Sequence, residues 1–180
     1  MTGPFDTGPF DTGPLGTGPF DDLLAANARY ADDFPLAGFD RVAHAGVAVV
    51  TCMDSRIDPL GLLGLQPGDA KILRNPGGRV TDQTLSALLL AIHLLGVDRV
   101  LVIPHTRCAM ATADEDELRD QVGAASGLDA SGETFGAVAD QTAALRVDVA
   151  CVRAHQLMPD SVAVGGFRYD VDTGRLEHLV

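Results

Sequence analysis

Short apolar runs alternate with amphipathic stretches along most of this chain. Val47–Cys52 is a continuous apolar run of strand length, and residues 70–74, 99–104 and 148–153 repeat the pattern. Between them lie stretches with helical spacing. Residues 21–33 place Leu23, Leu24 and Tyr30 on one side. Asp58-Pro59 has the form of a helix start, with Asp as cap and Pro in the first turn. Thr81 or Asp82 caps a helix through Leu95, which Gly96 closes. An acidic helix is predicted over 114–121, a Gly-, Ser- and Ala-rich loop over 122–134, and another helix over 135–145. Residues 166–170 and 175–179 flank Val-Asp-Thr-Gly and predict a hairpin. Apolar strands alternating with helices predict an α/β fold. Its central β-sheet is mostly parallel and flanked by helices, with a C-terminal hairpin supplying an edge strand.

The N-terminus breaks the pattern. Residues 2–21 repeat Thr-Gly-Pro-Phe-Asp with period five, one copy reading Thr-Gly-Pro-Leu-Gly. Gly and Pro at that density propagate neither helix nor strand. Residues 1–20 are therefore expected to be a disordered tail, or a docking tail using Phe5, Phe10 and Phe20, and residues 21–180 a single catalytic domain. The chain has 180 residues and a net charge of −12. Residues 1–40 hold seven acids and one base, so half of that excess lies there. An acidic chain lacks the basic face that phosphates require, which argues against nucleic acid as partner. No stretch approaches the ~18 apolar residues of a membrane span. Three cysteines do not make a disulfide framework. A cytoplasmic protein with reduced thiols is the expectation, free of membrane.

In a parallel sheet the reactive groups collect beyond the carboxyl ends of the strands. Cys52 ends the first strand, Asn75 to Gly78 follow the second, and His105 and Cys108 follow the third. Two thiolates and an imidazole are a zinc-binding set, and three protein ligands leave one corner open for catalysis. Other cysteine chemistries fail on spacing. A phosphatase loop needs Arg six residues after the cysteine, where Asp58 stands, and a thioredoxin pair needs Cys where Ser55 stands. Phosphate-binding and dinucleotide glycine motifs are absent. Asp54 and Arg56 follow Cys52 closely. Arg56 offers a two-pronged partner that holds the carboxylate in place, so that Asp54 can orient a water. The plain alternatives are buried apolar cysteines and a surface ion pair.

Cys52-Met-Asp54-Ser-Arg56, Arg74-Asn-Pro-Gly-Gly78 and His105-Thr-Arg-Cys108 together resemble the β-class carbonic anhydrases, in particular their compact bacterial branch. The resemblance covers residues 21–180. It implies a zinc enzyme that interconverts carbon dioxide and bicarbonate through zinc-held hydroxide, with one Zn²⁺ per subunit on Cys52, His105 and Cys108. Asp54 and Arg56 would be the orienting dyad, with Asp54 a fourth zinc ligand in a closed state. Gly77 and Gly78 would line the substrate pocket, and the working unit would be a homodimer or dimer of dimers. Related enzymes on this scaffold hydrolyse carbonyl sulfide or carbon disulfide, and a non-catalytic zinc protein is a third alternative. Two positions depart from the family pattern: Ala109 replaces the usual Gly, and Arg107 brings a positive charge beside the second zinc cysteine. Two thiolates make zinc a weaker acid than three imidazoles do, so the rate is expected to rise with pH through the mildly alkaline range. Elsewhere, Cys151 is expected as core filler in the fourth strand. His93 should be packed or interfacial; His155 follows the fourth strand, and a proton relay at the crevice is only the lesser alternative for it.

Overall fold

The computed structural model describes residues 18–180. The repeats before Gly18, and the expectation of disorder or docking placed on them, lie outside the described residues. The chain divides into two units at Phe39 and Asp40. In the first, Asp21–Asp32 forms helix α1, whose Leu23, Leu24 and Tyr30 are exposed.

The second unit carries the sheet. Its strands are β1 (Val47–Cys52), β2 (Ala70–Asn75), β3 (Arg99–Ile103), β4 (Ala163–Tyr169) and β5 (Leu176–His178), in the order β2-β1-β3-β4-β5. All pairings are parallel except β4 with β5. Helix α2 (Asp82–Leu94) crosses from β2 to β3. Between β3 and β4 lie α3 (Ala109–Thr112), α4 (Glu115–Ser126) and α5 (Gln141–Ala154). The expected sheet and C-terminal hairpin are therefore present. Ala48, Val50, Val100, Val102 and Val164 face α2 and α5, meeting Leu88, Ala91, Leu145, Val149 and Val152. The strands of a sheet buried against helices need continuous apolar character, and all six residues of β1 are buried.

Several local expectations need correction. Residues 148–153 form no strand; they continue helix α5. The buried residues Leu145, Asp148, Val149 and Val152 recur at spacings of three, four and seven, which is a helical stripe. Val147, which a strand would alternate, is exposed. The helix expected over 135–145 begins only at Gln141, where the Asp140 carboxylate accepts from the Thr142 and Ala143 amides. Helix α4 runs on to Ser126, into the expected loop, and Gly127 ends it in the left-handed conformation. Asp58 starts no α-helix. Its carboxylate accepts from the Leu60 and Gly61 amides and leads into a single 3₁₀ turn, Gly61–Leu63. Cys151 is exposed on α5 and is not core. His155 caps the C-terminal end of α5, where Arg153 reaches the carbonyl of Val164 at the start of β4. That is the amino edge of the sheet, away from the crevice. His93 Nε2 donates to the Leu157 carbonyl at 2.8 Å.

One ion pair locks α5 to the loop after β2. Arg79 donates to Asp148 through Nε at 2.6 Å and Nη2 at 3.0 Å, and the Val80 amide adds a third bond at 3.2 Å. Asp148 is buried and Arg79 partly so. Removing the carboxylate strands a cation in a poorly solvated place. Asp148→Ala should cost about 3–5 kcal/mol of stability, read from denaturant unfolding. A loss no larger than that of an ordinary surface substitution would contradict this role.

Candidate metal centre

Three loops reach the carboxyl edge of the sheet, and each delivers one donor. Cys52 is the last residue of β1, paired with Asn75 of β2. His105 follows β3 by two residues and forms a bridge with Tyr169 of β4. Cys108 sits at the start of α3. The donor atoms of Cys52, His105 and Cys108 all lie within 4.8 Å of one another, and all three residues are buried. The two sulfurs are 3.9 Å apart.

The histidine ring is oriented for a metal. Its Nδ1 lies 2.9 Å from the Thr106 carbonyl, which can only accept, so Nδ1 carries the proton. Nε2 then presents a lone pair toward the sulfurs. It is buried and, among the described residues, has no hydrogen-bond partner. Leaving such an atom unpaired is costly, and a cation shared with two thiolates satisfies it. Of the two thiols, Cys52 is prepared in the same sense. The hydrogen bond from Cys108 holds the Cys52 pKa well below that of an ordinary thiol, and the same bond pushes Cys108 up. Backbone amides of Asp54 and Gly77 favour the Cys52 thiolate, and that of Met110 favours a thiolate at Cys108.

Asp54 and Arg56 stand at the edge of this triangle. Arg56 grips the carboxylate with Nε on Oδ1 at 2.9 Å and Nη2 on Oδ2 at 2.7 Å, and its own amide adds a bond at 3.0 Å. That grip holds the Asp54 carboxyl well below the usual carboxylate range, so it stays charged. Asp54 Oδ2 is 3.8 Å from His105 Nε2. The carboxylate is therefore beside the donors but tied to Arg56.

A cleft of about 470 Å³ opens onto the two cysteines, lined by Cys52, Cys108, Met53, Asp54, Arg56 and Met110 among others. Ala109, the first residue of α3, lies on its wall, where the extra methyl is accommodated. Gly77 and Gly78 are buried behind it and line a tighter pocket with Met110, Val138 and Leu145. Gly78 has φ +67°, and a Cβ there would stand 2.9 Å from the Cys52 amide nitrogen. Only glycine lets the loop after β2 lie against the end of β1. Gly78→Ala should cost more than about 2 kcal/mol, measured by urea unfolding, because both conformation and contact oppose it. An unchanged midpoint would contradict the close approach.

Sequence reasoning gave Arg74 no role of its own. Its guanidinium donates to the carbonyls of Cys52 at 2.9 Å, Ile57 at 3.2 Å and Asp54 at 2.6 Å, so it sets the course of the whole 52–57 loop. An arginine at the carboxyl end of a strand, immediately before Asn75-Pro-Gly-Gly78, was the available signal. Arg107 does not add a free charge to the site, because Asp172 pairs with it.

The sequence profile of the carbonic anhydrase family matches residues 47–130. A β-carbonic anhydrase 1 from Mycobacterium tuberculosis is 31% identical over 162 residues, covering 88% of this chain and 96% of its own. A carbon disulfide hydrolase from Acidithiobacillus thiooxidans is 29% identical over 150 residues, covering 71% of this chain and 74% of that protein. Among solved structures, a carbonic anhydrase from Streptococcus mutans superposes with a TM-score of 0.82 at 36% identity, over 92% of this chain and all of the other. A motif set spread over three loops, the sheet that gathers it and a likeness running nearly end to end agree, and the chain belongs to the β-carbonic anhydrase family.

Proposed function

We propose that the protein interconverts carbon dioxide and bicarbonate, with one zinc ion held by Cys52, His105 and Cys108. The observation that carries this is the buried, unpartnered His105 Nε2 facing two thiols within 4.8 Å. Two sulfurs and one imidazole suit zinc better than a hard cation such as magnesium. When bound, zinc would supply a Lewis acid that makes water nucleophilic in the mildly alkaline range, far below the pKa of bulk water.

The chain's own residues do the rest. Asp54 accepts a hydrogen bond from the reacting water and fixes its direction of attack. Arg56 keeps that carboxylate charged and occupies both of its oxygens beside the metal donors, which favours an open site over one closed by Asp54. Carbon dioxide is small and apolar; Met53, Pro76 and Met110 give the cleft an apolar wall for it, with Gly77 and Gly78 lining the tighter pocket on the far side of Met110. The sheet face opposite α2 and α5 leaves Leu101, Phe167, Tyr169 and Leu176 partly exposed within this unit. A homodimer or dimer of dimers would cover them.

A second substrate class has support in the relatives named carbon disulfide hydrolase, at 28–31% identity. Stopped-flow hydration of carbon dioxide by the zinc-loaded protein, run beside hydrolysis of carbon disulfide and carbonyl sulfide, decides between them. Fast hydration rising through the mildly alkaline range is the expected result. Turnover of the sulfur substrates alone would transfer the site to that chemistry, and zinc retained without any turnover would leave a binding protein.

A further inference from the structure

We infer that Asp172, on the β4–β5 hairpin, is a positioning residue for the Asp54–Arg56 dyad and acts through the backbone of Arg107; this rests on the function proposed above. Arg107 has φ +53°, the only positive value at a non-glycine position among the described residues. A side chain in that conformation persists only where its surroundings hold it. The consequence of the twist is specific. The Arg107 carbonyl accepts from Arg56 Nη2 at 3.3 Å, the same nitrogen that donates to Asp54 Oδ2 at 2.7 Å. Arg56 is thus held from two sides, by the carboxylate it orients and by a strained carbonyl.

The hairpin supplies the hold. Tyr169 donates to the Pro104 carbonyl and Thr106 donates to the Tyr169 carbonyl, both at 2.9 Å. The Val171 amide donates to Thr106 Oγ1 at 3.1 Å. Arg107 Nη2 donates to Asp172 Oδ1, completing a staple along 104–107. Asp172 is itself fixed, since Asp170 Oδ1 accepts from the Asp172 and Thr173 amides. Its charge also bears on Arg56, whose pKa it helps to raise after the larger effect of Asp54. Exposed ion pairs contribute little to stability, and both partners here are more than half exposed. The effect belongs to the dyad and not to folding.

The test compares Asp172→Asn and Asp172→Glu in the full chain, alone and combined with Asp54→Asn. Asp172→Asn should lower kcat for carbon dioxide hydration about three- to tenfold with KM little changed. Zinc content and thermal midpoint should match the native chain. The cobalt-substituted protein should show an altered visible spectrum at fixed pH, because Asp54 is held less firmly beside the metal. Asp172→Glu should restore both. In the Asp54→Asn background the Asp172 change should add nothing, as expected for residues acting in one chain. An unaltered kcat and spectrum, or losses that simply add, would overturn the inference. Should the native protein bind metal yet turn over no substrate, the proposed function fails, while the cobalt spectra still decide the part played by Asp172.

Discussion

Cys52→Ser should yield a folded chain that retains less than about one-tenth of the native zinc and has lost hydration activity. A serine hydroxyl stays protonated where a thiolate would bind, so the metal loses both a charge and a soft ligand. Cys52 is also the donor most prepared for the role. Two backbone amides and the Cys108 thiol converge on it. With that sulfur gone, His105 and Cys108 remain as two ligands, too few for a tetrahedral site. The substitution is smaller than the original side chain, and the loop stays pinned by Arg74. Metal analysis after gel filtration, with circular dichroism as the control for folding, gives the answer. Full zinc occupancy in the variant would mean that the ion sits elsewhere.

Asp54→Asn should separate metal binding from catalysis. Zinc content is expected to stay near one per chain while kcat falls about a hundredfold or more, the usual scale for a positioned proton-accepting group. Asparagine keeps the shape but cannot accept both bonds that Arg56 now donates. Arg56 is partly exposed, so water takes over the lost bonds and the unfolding midpoint should move little. Loss of zinc together with rate would assign Asp54 to the metal rather than to the water.

The outline of the site was legible because it follows from strand ends. Apolar runs located β1, β2 and β3, and topology then sent their carboxyl ends to one edge. The second half of the chain was harder. Val149, Cys151 and Val152 gave residues 148–153 the composition of a strand, and tertiary packing resolved them as a helix. The true fourth strand, β4, was legible only from residue 166 onward, as the first arm of the hairpin; its earlier part, with Gly165 beside Gly166, gives a weak strand signal. Gly166 is there for packing: a Cβ would stand 3.0 Å from the side chains of Leu145 and Val149 on α5. Long-range partners such as Arg79 with Asp148, and Arg107 with Asp172, leave no trace in local spacing. The charge of Arg107 is plain in the sequence, whereas its positive φ and its link to Arg56 arise only from the folded arrangement of the loops.

Zinc-edge X-ray absorption on the purified native protein tests the central claim most directly. It should show two sulfur neighbours at about 2.3 Å and lighter nitrogen or oxygen neighbours at about 2.0–2.1 Å, in a four-coordinate site. A shell of nitrogen and oxygen alone, or a site with four sulfurs, would contradict the assignment to Cys52, His105 and Cys108.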